Sequence, residues 1–223
     1  MNNTIVIYHG GCRDGFCAAW VYNKWACKVN GLGPSFMPKV EYFPSFYGQE
    51  PPDVKDKNVI ILDFAYHIDV MHNICQIAKS VLWLDHHKTA EGIAEYFNKR
   101  MNGFNNINYR FQNDKSGAGL TWDYFFPNEP RPWIVDYVED RDLWVKKLKN
   151  SDNVNAFISC LKFDFNVWDE YSKYPIDAVY DYGRIVLLKT EQYVTEVCKN
   201  VYFADIVKWE GETYPVKYEY KNI

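Results

Sequence analysis

The chain has no stretch near the roughly 20 uninterrupted apolar residues that a membrane-spanning helix requires, although 48% of its 223 residues are apolar. A helical membrane protein is therefore excluded, and a soluble globular protein is expected. Residues 4–8 form a short apolar run with no basic flank before it and no small-residue cleavage site behind it, so no secretory signal is expected. The expected location is the cytoplasm. Cysteine is scattered: Cys12, Cys17, Cys27, Cys75, Cys160 and Cys198 form no C-x-x-C, which argues against a zinc knuckle or a secreted disulfide framework. There is no basic excess either. A formal net charge of -4 gives no footprint for a dedicated double-stranded nucleic-acid binder, yet it allows a small anionic substrate that answers to local charge and metal. The turn His9-Gly-Gly-Cys-Arg-Asp14 lacks G-x-G-x-x-G spacing, which argues against a nucleotide-binding dehydrogenase. Internal repeats and low-complexity linkers are absent.

What is present is a strand, turn and helix pattern used twice. Thr4-Ile-Val-Ile-Tyr8 is a continuous apolar run followed by Gly10-Gly11 and a helical pattern over 15–29. The pattern returns as a strand over 58–63, a helix over 67–79 and a strand over 80–85. Unbroken apolar strands imply a buried parallel sheet. The fold class expected is α/β, a doubly wound parallel sheet over 1–125, then a mainly helical segment over 126–200 and a C-terminal hairpin or remnant of a second domain over 201–223. Further elements are expected as strands over 40–43 and 108–111 and helices over 90–99, 117–126, 154–162 and 176–200. A helix started by Pro130-Arg-Pro-Trp is expected to run to about 139.

In such a sheet, ligands bind beyond the carboxyl ends of the strands. Three apolar strands deliver acidic or imidazole groups to that edge: His9 with Asp14, then Asp63, then Asp85-His86-His87. Carboxylate and imidazole donors together suit Mn²⁺, with Mg²⁺ or Co²⁺ as alternatives. Two such ions need a shared carboxylate, and Asp63, central in order, is the expected bridge. Asp85 is expected to orient a histidine ring rather than to ligate. Arg13 and Lys88 flank the ligands and can neutralise phosphate charge, or stand as exposed side chains. Ser116-Gly-Ala-Gly reads either as a phosphate-cradling helix start or as a capped, close-packed one. Tyr42, Phe43, Phe46 and Tyr47 either stack a nucleobase or fill a loop core.

Taken together, His9-Gly-Gly-Cys-Arg-Asp14-Gly-Phe, Leu62-Asp63, Asp85-His86-His87 and Val138-Glu-Asp140-Arg-Asp-Leu-Trp144 resemble the four motifs of the DHH phosphoesterase superfamily. That superfamily includes RecJ-type exonucleases, nanoRNases, cyclic-dinucleotide phosphodiesterases and family II pyrophosphatases. The resemblance implies that Asp14, Asp63, His86 and Asp140 hold one metal ion, that His9 and Asp63 belong to the other, and that His87 faces the substrate phosphate. Asp136 and Asp142 are rivals for the place of Asp140. Two features depart from the family. Its common first motif is H-x-x-x-D-x-D, whereas here Cys12 stands where the first Asp would fall and the motif is one residue shorter. Cys12 either ligates as a thiolate, which would favour Zn²⁺, or is packed. The substrate-binding DHHA1 domain, with its glycine-rich motif, has no counterpart before Ile223.

The activity these features imply is metal-dependent hydrolysis of a phosphodiester or phosphoanhydride by an activated water. Short single-stranded nucleic acid, dinucleotides and pyrophosphate-like compounds are the candidate substrates. Asp63, His87 and Arg13 are expected in catalysis, and His87, Lys88 and Ser116 at the substrate. Without a covering domain the site is expected to be open, unless a homodimer places helices of a second protomer across it. The alternative is a degenerate, non-catalytic module that binds a nucleotide or a protein.

Overall fold

The computed structural model describes residues 3–31, 40–99, 103–199, 201–209 and 212–219. Parallel strands β1 (Thr4–His9), β2 (Val40–Ser45), β3 (Asn58–Leu62), β4 (Ser80–Asp85) and β5 (Ile107–Phe111) form one sheet in the order β2-β1-β3-β4-β5. After β1 the chain goes out to β2 on one side and then returns to build β3 to β5 on the other. The connection order therefore reverses between β1 and β3, the position at which open sheets of this kind bind ligands beyond the strand ends.

Side chains alternate across this sheet with period two. Ile5, Ile7, Val59, Ile61, Val81 and Trp83 face α2 (Ile68–Ile77) and α3 (Lys88–Lys99). Val6, Ile60, Leu62 and Leu84 face α1 (Arg13–Val29), meeting Ala18, Tyr22 and Ala26. The α/β, doubly wound arrangement expected from the apolar runs is the one observed.

Helix α1 is buried on both sides, because it carries apolar residues all round. Its second face, with Trp20 and Val21, packs on α4 (Gly117–Phe125), α5 (Trp133–Asp142), α6 (Ser151–Cys160) and α7 (Phe165–Tyr171) through Trp122, Ile134, Val138, Ile158 and Trp168. Each such large side chain contributes about 1.5–3 kcal/mol on burial. The helical segment thus completes the same core. A long helix, α8 (Ile176–Lys199), and an antiparallel hairpin of β6 (Val201–Trp209) and β7 (Glu212–Glu219) follow.

Several boundaries differ from expectation: α6, expected over 154–162, spans Ser151–Cys160, and both ends of α5 shift. The α5 helix begins at Trp133, not Pro130, since Arg131 precedes Pro132 and is sterically pushed out of the helical region. It also continues to Asp142. The short helix α7 was not expected; the Asp164 carboxylate caps it by accepting from the Asn166 and Val167 amides.

Candidate metal centre

Each candidate ligand stands where an element ends at the carboxyl edge of the sheet. β1 delivers His9; the turn through Gly11, at φ +67°, then places Cys12 at the N-cap of α1 and Asp14 in its first turn. Gly15 is needed for this turn, because a Cβ there would run into the His9 carbonyl. Beyond β3, Asp63 adopts φ +56°, a left-handed conformation that costs roughly 1–2 kcal/mol for most side chains but that Asp and Asn tolerate. β4 ends on Asp85, and His86 and His87 follow it.

The resulting distances are short. Asp63 is 1% exposed and turns one oxygen to each side: Oδ2 lies 3.6 Å from His9 Nδ1 and Oδ1 lies 3.1 Å from His86 Nε2. His86 Nε2 is also 3.6 Å from Asp14 Oδ2 and 3.5 Å from Asp142 Oδ2. Donor atoms of His9, Cys12 and Asp63 lie within 4.8 Å of one another, as do those of Asp14, His86 and Asp142, and those of Asp63, His86 and His87. His9 Nδ1, both Asp63 oxygens and His86 Nε2 are buried with no hydrogen-bond partner among the described residues. Buried polar atoms are nearly always satisfied, so four such atoms converging on one another fit a cation.

Charge points the same way. Burial pushes the Asp14 carboxyl well above its ordinary range, with Asp63 and Asp142 adding to the effect. Burial and then Asp63 likewise raise Asp142. For Asp63, burial pulls upward, but the nearby His86 and His9 imidazoles outweigh it and hold the group low. The Asp63 carboxylate, followed by Cys12, raises His9 to about 10. Two buried carboxyls and a half-buried one this close resist full ionisation unless a cation joins them.

No protein-family model matches this chain, and no solved structure matches it.

An uncharacterized protein of Acanthamoeba polyphaga mimivirus is 29% identical to it over 213 residues, covering 88% of this chain and 48% of that protein. The chain thus spans about half the length of that relative.

Four of the five expected metal ligands, His9, Asp14, Asp63 and His86, come together. Asp140 does not. Its Oδ1 accepts from the Lys147 and Leu148 amides at 2.8 and 3.4 Å and its Oδ2 accepts from Ser151 Oγ at 2.6 Å, so the carboxylate is used in holding the following loop. Asp142 stands at the centre instead. A signal for it existed, since Asp142 continues the buried Ile134–Val138 stripe at i+4.

Arg13 also turns away: Nη2 donates to the Ser159 carbonyl at 2.6 Å and the guanidinium lies over Phe163, so its charge is engaged outside the ligand cluster. Ser116 is fully buried and cannot touch a substrate. Its Oγ accepts from Gly119 N, its own amide donates to Glu139, and the Gly117 and Ala118 amides donate to Asp14 at 2.6 and 2.9 Å. The start of α4 is therefore the close-packed alternative, and its amides orient Asp14. Lys88 is exposed at the start of α3, beside His87. Asp85 accepts from the His87 ring, Nδ1 at 2.8 Å, which leaves Nε2 as the outward nitrogen. Among the aromatics, Tyr42 packs inward, with its hydroxyl donating to Asn23, while Phe46 and Tyr47 are exposed.

Cys12 offers a thiol to the set formed with His9 and Asp63. Cys12→Asp is expected to tighten Mn²⁺ binding at that set about tenfold, because a hard oxygen suits Mn²⁺ better than sulfur. Calorimetric titration with Mn²⁺ and with Zn²⁺ checks this. Unchanged affinities for both ions would remove Cys12 from the centre.

Proposed function

We propose that this chain is a divalent-metal-dependent phosphohydrolase of the DHH phosphoesterase type. The observation that carries the reading is the convergence of the unpartnered His9, Asp63 and His86 atoms with Asp14 and Asp142 at the carboxyl edge of the sheet. The motif order in the sequence supports it. Asp14, Asp63, His86 and Asp142 would hold one ion and His9, Cys12 and Asp63 a second, with Mn²⁺ the best match and Mg²⁺ or Co²⁺ alternatives. Bound there, the ions supply Lewis-acid polarisation of a phosphoryl oxygen and of an attacking water.

The protein's own groups do the rest. Asp63, with one oxygen toward each ligand set, fixes their relation. Hydrogen bonding to Asp85 raises the pKa of His87 and favours its charged form, so that Nε2 can give a proton to the leaving oxygen. Lys88 meets the phosphate charge from the rim. Cys12 lies in ligand position rather than packed away, which favours the catalytic reading over a degenerate binding module.

Release of phosphate or nucleoside monophosphate from dinucleotides, oligonucleotides and pyrophosphate tests the proposal. Turnover is expected with Mn²⁺, to be lost on chelation and restored on re-addition. Absence of turnover for every substrate with Mn²⁺, Mg²⁺ and Co²⁺ would favour the binding module.

A further inference from the structure

We propose that the loop joining α5 to α6 is a platform for single-stranded nucleic acid, with Trp144 stacking a base and Lys147 and its basic neighbours meeting the phosphates. The platform rests on the phosphohydrolase reading for the fate of the strand, but its binding is separately measurable.

The loop starts at the centre, since Asp142 faces His86, and Trp144 is only two residues further on. Trp144 is 69% exposed, far more than a tryptophan usually is. It is held in the left-handed region, φ +54°, as is Lys146 at φ +49°. Such strain persists only where surrounding structure enforces it. Here Asp140 enforces it, its backbone carbonyl accepting from the Val145 and Lys146 amides at 3.0 and 3.3 Å and its carboxylate holding Lys147, Leu148 and Ser151. An exposed indole is thus fixed beside the centre at an energetic cost.

Four cations stand near it in a chain whose net charge is -4, one of them, Lys146, paired with Asp152 at 2.9 Å. Arg141, Lys146, Lys147 and Lys149 share the segment, with the Arg141 guanidinium 4.6 Å and Lys146 Nζ 5.5 Å from the Trp144 ring centre. At the other end of the ligand row Tyr47 is 61% exposed, with its ring 5.4 Å from that of His9. The centre is therefore bracketed by two exposed aromatic rings, one with a basic margin. Stacking rings along a cationic track are what single-strand binders use. Pyrophosphate has no base to stack, and a duplex keeps its bases stacked on one another.

The test is fluorescence anisotropy with labelled hexaadenylate, as RNA and as DNA, and with an abasic hexamer of equal charge. Titrations are run in Ca²⁺ and in EDTA, with label integrity checked on gels. The wild type is expected to prefer hexaadenylate over the abasic strand about tenfold. Trp144→Ala should bring that ratio near one, and Trp144→Phe should retain part of it. Lys147→Glu should weaken both strands and flatten the salt dependence. Leu188→Ala, on an exposed part of α8, is the control. An unchanged base preference in folded Trp144→Ala, or none in the wild type under both conditions, would overturn the platform. Pyrophosphate turnover without base preference would sink the platform alone. Base preference carried by Trp144 without any metal-dependent turnover would sink the hydrolase reading alone.

Discussion

Asp63→Asn is expected to abolish two-ion binding and to lower turnover about a thousandfold or more, while leaving the fold intact. The two Asp63 oxygens face different ligand sets, and an amide, with one oxygen and no charge, cannot serve both. Loss of a shared metal ligand removes several kcal/mol of transition-state stabilisation. The backbone should be undisturbed, because Asn tolerates φ +56° as Asp does. Without metal, the variant should melt below the wild-type temperature at neutral pH, since the carboxylate that His86 and His9 hold low is gone and His9 loses the partner that raises it. Mn²⁺ calorimetry and thermal melts with and without Mn²⁺ measure both halves. A variant that still binds two ions would show that Asp63 is not shared.

Asp140→Ala and Asp142→Ala should fail in opposite ways. Removing the Asp140 carboxylate leaves the buried Ser151 hydroxyl and the half-buried Lys147 and Leu148 amides without their acceptor. That costs about 2–4 kcal/mol, or about 5–15 °C in melting temperature for a chain of this size. Asp142→Ala should leave the metal-free melting temperature unchanged or higher and weaken Mn²⁺ binding about tenfold or more. If the two variants lose metal affinity equally, the division of labour between these carboxylates is wrong.

The contrast shows what local pattern can and cannot convey. β1, β3 and β4 were legible because buried parallel strands are continuous apolar runs, and their ends carried His9, Asp63 and His86 to one edge. Asp140 and Asp142 are chemically alike and two residues apart. Their roles are separated by where α5 ends and by hydrogen bonds from Lys147 to Ser151, which form only once the loop is folded. Arg13 and Ser116 were misplaced for a similar reason. The partner of Arg13 is the Ser159 carbonyl, and the amides following Ser116 belong to Asp14, more than a hundred residues away in both cases. The helix α7 was missed because seven residues are too few to display a period.

The double burial of α1 has a consequence for ancestry. A helix that covers a sheet on one side and water on the other can acquire or lose an outer layer by recombination at the junction. Here the outer face of α1 carries Trp20 and Val21 against Trp122, Ile158 and Trp168, so a descendant that discarded the helical layer would expose that face to solvent. Divergence of this lineage should therefore proceed by substitution inside a fixed architecture, with the sheet and the helical layer inherited as a unit.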